Sequence, residues 1–171
     1  MGFVHIYCGD GQGKTTAAAG MALRFAGAGG KVVFVQFMKN NSSSEISPLK
    51  TIEGLKVLHS SQEFGFVWDM SQEEKAMAKN AYTELLNESF ACAPQGAMLI
   101  LDEVISAIDA GFISENSLIE LIEENRPHLE IILTGRQPDE KILLTADYIS
   151  RISCEKHPFD KGIKARRGIE Y

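Results

Sequence analysis

The chain has 171 residues, with 17 Lys and Arg against 23 Asp and Glu, which gives a formal net charge of −6. That length suits one domain around one core, expected over residues 1–171, and 44 % apolar with 23 % charged residues is a globular composition that excludes wholesale disorder. The acidic balance speaks against a general nucleic-acid binder, which carries a basic footprint, and no apolar run nears the roughly 20 residues that span a bilayer.

The N-terminus, MGFVHIY, lacks the basic region and long apolar stretch of a secretory signal. Cys8, Cys92 and Cys154 are odd in number, far apart and without a C-x-x-C pair. A disulfide framework or structural zinc is therefore not expected, and a reduced cytoplasmic compartment fits best.

In chain order, Phe3–Cys8 reads as a buried strand and Lys14–Ala28 as an Ala-rich helix stopped by Gly29 and Gly30. Lys31–Phe37 is a second strand, too β-branched for a helix. A polar loop of about residues 40–48 follows, and Leu55–His59 makes a short strand. Ser71 and Glu74 form a capping box that opens a helix to about Cys92, before Pro94. Ala97–Leu101 is a strand ending at Asp102 and Glu103. A short helix and another near Ser117–Asn125 precede Pro127. Glu130–Thr134 is a strand, Pro138–Ala146 a helix and Tyr148–Ser153 a last strand. A tail of about residues 155–171 closes the chain, polar and in part basic. Strands that are continuous apolar runs, alternating with helices, predict an α/β fold: a mostly parallel sheet with helices on both faces. Ligands bind such sheets at the carboxyl ends of the strands.

The strongest signal lies there. Gly9-Asp10-Gly11-Gln12-Gly13-Lys14-Thr15-Thr16 leaves a strand and opens a helix. Glycines let backbone N–H groups close round a phosphate, and the helix start adds partial positive charge. Lys14 supplies a full charge, and Thr15 can set its hydroxyl on Mg2+. The general phosphate-loop pattern has Gly at position 8; this chain has Cys8, a variant. Asp102 and Glu103 close a buried strand as the carboxylates that a phosphate-bound Mg2+ needs; their plain alternative is a helix cap and a solvated surface group. Thr134-Gly135-Arg136 ends another strand, and Arg136 suits a phosphate, with a solvent-facing arginine as the rival. Arg24 suits a ligand contact or a surface position. Glu63-Phe64-Gly65-Phe66-Val67-Trp68-Asp69 sets aromatics in a loop, either to cover something flat or to anchor a long connection in the core.

Taken together the chain resembles the phosphate-loop class of ATP:corrinoid adenosyltransferases, the cob(I)yrinic acid a,c-diamide adenosyltransferase family. The resemblance runs over the whole chain. It rests on G-x-G-x-G-K-T-T at Gly9–Thr16, V-Q-F-x-K at Val35–Lys39, G-F-x-W at Gly65–Trp68, L-D-E at Leu101–Glu103 and T-G-R at Thr134–Arg136. The long tail pattern K-H-x-F-D-x-G-x-K-A-x-x-G-I-[DE]-Y at Lys156–Tyr171 is its most specific part.

The resemblance implies a P-loop NTPase (RecA-like) architecture and a reaction. The Co(I) of a corrinoid (cobalamin, cobinamide or cobyrinic acid a,c-diamide) attacks C5′ of ATP, and triphosphate leaves, in adenosylcobalamin biosynthesis or salvage. ATP is implied to lie in the loop in the reverse sense to ordinary ATPases. Residues 9–16 with Arg24 and Arg136 would hold the nucleotide, and Thr15, Glu103 and Asp102 the Mg2+. Lys14, Glu103, Arg136, Phe66 and Trp68 would serve catalysis, the two aromatics by displacing the lower axial ligand of cobalt. Phe66, Trp68, Lys39, His157 and Phe159 would meet the corrinoid. A reduced flavoprotein as electron donor, a homodimer and a cytoplasmic location are implied too, with no nucleic acid and no membrane. Departures are Gln12 where relatives often have Lys and Asn40 where they often have Gly. The chain begins near its first strand, so the expected closure of the site comes from loops, the tail or a partner subunit. Two rivals remain at this point: a small ATPase or phosphotransferase using Glu103 to activate water, and a nucleotide-dependent corrinoid carrier without turnover.

Overall fold

The structure is a computed structural model and describes residues 2–39, 43–65 and 67–169. Six strands form one sheet: β1 (Val4–Cys8), β2 (Val32–Gln36), β3 (Leu55–His59), β4 (Met98–Asp102), β5 (Glu130–Thr134) and β6 (Tyr148–Arg151). Their order is β3-β2-β4-β5-β1-β6, and the five pairings among the described residues are all parallel. Between them run α1 (Lys14–Gly27), α2 (Ile46–Leu49), α3 (Gln72–Cys92), α4 (Val104–Asp109), α5 (Glu115–Asn125) and α6 (Glu140–Leu144).

Alternate residues of the central strands feed two cores. On one face Val33, Val35, Leu99, Leu101, Ile131 and Leu133 pack against α3 and α5 through Tyr82, Leu86, Phe90, Leu118 and Ile122. On the other, Val32, Phe34, Met98, Ile100 and Ile132 pack against Ala18 and Ala22 of α1 and Ile46 and Leu49 of α2. This is why β2 and β4 are fully buried and apolar up to their last residues, Gln36 and Asp102: a parallel strand covered on both faces has no polar side. The alanines of α1 bring that helix close to the sheet, which sets its N-terminus beside the end of β1.

The capping box on α3 is present in both directions, Ser71 Oγ accepting from Glu74 N at 3.2 Å and Glu74 Oε2 from Ser71 N at 2.7 Å. Four expectations are corrected. A short helix, α2, occupies part of the stretch expected to be a loop; residues 40–42 lie outside the described residues. Helix α5 starts at Glu115, because Ser114 accepts from Ser117 N. Helix α6 starts at Glu140, not at Pro138, because Asp139 is still extended. Strand β4 runs Met98–Asp102, one residue later at each end than expected, and so takes in the Asp102 carboxylate expected to close it.

Candidate functional site

The carboxyl ends of β1, β2, β4, β5 and β6 meet at one side of the sheet. Residues 9–13 join β1 to α1. Gly9 and Gly13 have φ of 112° and 108°, a left-handed region that L side chains rarely adopt. Gly9 N donates to Arg136 O and Gly11 N to Ile152 O, each at 2.8 Å. A Cβ on Gly9 would stand 2.4 Å from Ile152 O, and one on Gly11 would stand 2.7 Å from Ser153 O. These two glycines therefore admit the backbone leaving β6, and their own N–H groups are committed to it and to Arg136. The amides of residues 12–16 donate to no described residue, and α1 has no side-chain cap. That leaves a set of donors at a helix start, which is an anion site. Lys14 is buried over the loop, Nζ donating to Gly11 O at 2.7 Å.

Beside the loop lies a polar cluster. Asp102, fully buried at the end of β4, accepts through Oδ1 from Thr15 Oγ1 at 2.9 Å and from Thr134 Oγ1 at 2.8 Å. Through Oδ2 it accepts from Lys39 Nζ at 3.0 Å, and the same ammonium lies 3.0 Å from Thr15 Oγ1. Thr134 Oγ1 also accepts from Glu103 N at 2.8 Å. Glu103 stands at φ 61°, and its carboxylate turns to Ser106 Oγ on its own helix. Lys39 follows Met38, at φ 56°. Burial raises the pKa of the Tyr82 hydroxyl, and the nearby backbone of Met38 opposes that rise.

Two cavities share the phosphate loop as a wall. The larger, about 760 Å³, is bounded by Thr15, Thr16, Lys39, Glu45, Phe64, Glu103 and Ile169 among others. Its size is in the range that takes a cofactor-sized ligand. The smaller, about 260 Å³, lies toward the tail, between Asp10, Gln12, Arg136, His157, Phe159 and Lys164. The tail is tied back to the loop: Gln12 Nε2 donates to Ile169 O at 3.1 Å and Cys154 N to Asp10 Oδ1 at 3.2 Å.

The expected residues thus divide. Residues 11–16, Lys39 and Glu103 face the larger cavity, with Asp102 directly beneath Thr15 and Lys39. Arg136, His157 and Phe159 face the smaller one. Arg24 lines neither of these two; it is ten residues along α1, about 15 Å from its start. There it sits close enough to Tyr7 to oppose the rise in pKa that burial gives that phenol. Trp68 is 77 % exposed in a turn, and Phe66 lies outside the described residues. Phe64, in the same segment, packs on Tyr82 with ring centroids 5.6 Å apart, so it is the anchor that holds the aromatic loop on the core. Thr134, which organises Asp102 and Glu103 together, was missed. Its signal was a hydroxyl as the last residue of a buried strand, overshadowed by the charge of Arg136.

Compared with known proteins, residues 1–171 match the family model described as ATP:corrinoid adenosyltransferase BtuR/CobO/CobP. The chain belongs to this family. A corrinoid adenosyltransferase of Escherichia coli K12 is 33 % identical over 99 % of this chain and 86 % of its own length. One from a Sinorhizobium species is 30 % identical over 99 % and 80 %, and the one of Salmonella typhimurium 31 % identical over 99 % and 86 %. Family membership makes this corrinoid adenosyltransferase an enzyme of ATP-dependent adenosylation at a corrinoid cobalt centre. Among the described residues, no helix of the adenosyltransferase is long and apolar enough to cross a membrane.

Proposed function

We propose that ATP lies along the free amides of residues 12–16 with its triphosphate under Lys14, and that C5′ faces a corrinoid seated in the larger cavity. The observation that carries this is the junction of that unpartnered donor set with the Thr15–Asp102 cluster on one cavity wall. In the reaction a Co–C5′ bond forms as the C5′–O bond breaks. The electron pair comes from Co(I), the leaving oxygen takes the bond pair, and triphosphate departs. No general base is required. The chain's own residues hold the nucleotide in line and stabilise the charge that grows on triphosphate. Lys14 gives one full positive charge and the helix start a partial one; Arg136 and Lys164 add theirs from the smaller cavity.

Mg2+ belongs to the same proposal. No group of three or more His, Cys, Asp or Glu suited to a metal occurs among the described residues, so the protein alone offers no cage. The donor set nevertheless fits a hard cation that brings phosphate oxygens with it. Thr15 supplies a hydroxyl, Asp102 a buried carboxylate and Glu103 a carboxylate one residue on, and a positive group, the Lys39 ammonium, already stands against the first two. When bound, Mg2+ supplies Lewis-acid neutralisation of the triphosphate.

Exposed Trp68, with Phe66, is proposed to lie against the corrin and remove the lower axial ligand of Co(II), easing its reduction; Lys39, His157 and Phe159 complete the corrinoid contacts. A phosphate-loop NTPase architecture of the RecA-like kind, over residues 1–171 as one domain, is supported by the loop between β1 and α1. It is supported also by β5 standing between β1 and the acidic strand β4. A cytoplasmic location is supported by three free cysteines. A homodimer and a reduced flavoprotein donor complete the proposal.

The test is anaerobic incubation with ATP, Mg2+ and chemically reduced cob(I)alamin. The expected result is a light-sensitive alkylcobalamin spectrum with one triphosphate per turnover. ADP and phosphate without alkylation would show an ATPase instead.

A further inference from the structure

The Lys39 ammonium stands 3.0 Å from Thr15 Oγ1, 3.0 Å from Asp102 Oδ2 and 4.0 Å from Glu45 Oε1. Thr15 gives its proton to Asp102 Oδ1, so the hydroxyl lone pairs are what Lys39 meets. Those lone pairs and that carboxylate are the groups assigned above to Mg2+, and this inference rests on that reading. One position cannot hold two cations. We propose that Lys39 is an internal counter-cation that fills the metal position and yields it only to a metal that arrives with ATP.

Three features argue that this contact is built rather than incidental. The side chain of Lys39 is 27 % exposed and that of Asp102 0 %, so this is no loose surface pair. Without a counter-ion, Asp102 would be a buried charge facing only hydroxyl dipoles, a state proteins avoid. The direction of Lys39 is set by the left-handed turn at Met38, whose side chain packs against the core cluster that contains Tyr82. A turn of that kind at a non-glycine residue persists where it has a use.

The consequence is an order of binding. With Lys39 in place the cluster is already neutralised, and a bare divalent ion meets an ammonium instead of ligands. ATP changes the balance by adding phosphate oxygens for the metal and a negative charge for the displaced lysine. Glu45, on the same cavity wall, is a second resting place for the ammonium.

Mn2+ is the probe, with its free concentration read by electron paramagnetic resonance. Wild-type protein without nucleotide is expected to leave Mn2+ free and, once ATP is added, to take up more Mn2+ than the same ATP does without protein. Lys39→Met without ATP is expected to bind Mn2+ at least about tenfold more tightly than wild type, since a close positive charge is gone. Its melting temperature should rise with Mn2+ while that of wild type does not. Lys39→Gln, which keeps an amide donor toward Asp102, should show the same gain and guards against a loss of fold in Lys39→Met. Adding Asp102→Asn to either variant should cancel the gain. Equal Mn2+ affinity of wild type and both variants without ATP, with ATP-dependent binding intact, would overturn the counter-cation and leave the metal site standing. Failure of wild type to bind Mn2+ even with ATP would overturn the metal site and the proposal with it.

Discussion

Met38 and Glu103 are the two non-glycine residues with positive φ among the described residues, at 56° and 61°, and they leave neighbouring strands that end in register. Gln36 of β2 lies opposite Asp102 of β4. The backbone then turns through the left-handed region two residues past Gln36 and one past Asp102, and the turn at Glu103 is tethered by its N–H, which donates to Thr134 Oγ1. A bulky residue in that region is strained by about 1–2 kcal/mol. The strain is concentrated where the chain lifts Lys39 and Glu103 over the phosphate loop.

Thr134→Val is the cleanest probe of this arrangement, because it keeps the shape and removes the hydroxyl. Asp102 loses one donor and the Glu103 amide loses its acceptor. The expected loss is about 1–3 kcal/mol of stability, seen as a lower urea midpoint at unchanged slope. Adenosylation should fall further than stability accounts for.

Gly9→Ala and Gly20→Ala should act in opposite directions. At Gly9 the new methyl meets Ile152 O at 2.4 Å, and φ is 112°. At Gly20, inside α1, it meets nothing within 4 Å. Gly9→Ala is expected to detach the β6–tail connection and abolish ATP binding by calorimetry. Gly20→Ala should raise stability by about 0.5–1 kcal/mol and leave ATP binding unchanged.

Trp68→Ala separates surface from core. With 77 % of the residue exposed, its removal should shift stability by no more than about 0.5 kcal/mol. Adenosylation of prereduced Co(I) should persist, while reduction of bound Co(II), followed by its visible spectrum, should fail. A parallel loss of ATP affinity would show that Trp68 supports the fold.

The pKa of Asp147 is held below its ordinary 3.8, first by the hydrogen bond from Val4 N and then by Arg126, with His5 adding to them. The bonds are 2.8 Å and 2.6 Å. A carboxylate depressed in the folded state stabilises above its unfolded pKa and loses that contribution as pH falls through the folded value. Asp147→Asn should therefore be less stable than wild type at pH 7, and the gap should close on acidification below about pH 4. Urea midpoints measured across that range check the sign.

Much of this was legible because it is written in local patterns. Runs rich in apolar and β-branched residues gave the strands, Ser71 with Glu74 gave the start of α3, and glycines before a lysine gave the loop. What was not legible has one cause: a residue's surroundings are set by what arrives from elsewhere in the chain. The space beside the Cα atoms of Gly9 and Gly11 is taken by the backbone of Ile152 and Ser153, which arrives from the far end of the chain. The Lys39 ammonium rests on Asp102, which is 63 positions away. Thr134 reaches Asp102 across 32 positions, and neither neighbourhood alone reveals the pair.

The place of β1 in the sheet has a kinetic consequence. Its partners are β5 and β6: Phe3 meets Glu130 across 127 positions and Val4 meets Asp147 across 143. Contacts of such span form only after a large loss of chain entropy. Helix α3, with its own capping box, needs no such closure to begin. On refolding from urea, far-ultraviolet ellipticity should therefore recover before the protein can bind a fluorescent ATP analogue. The loop nearest the beginning of the chain is among the last parts of the molecule to take shape.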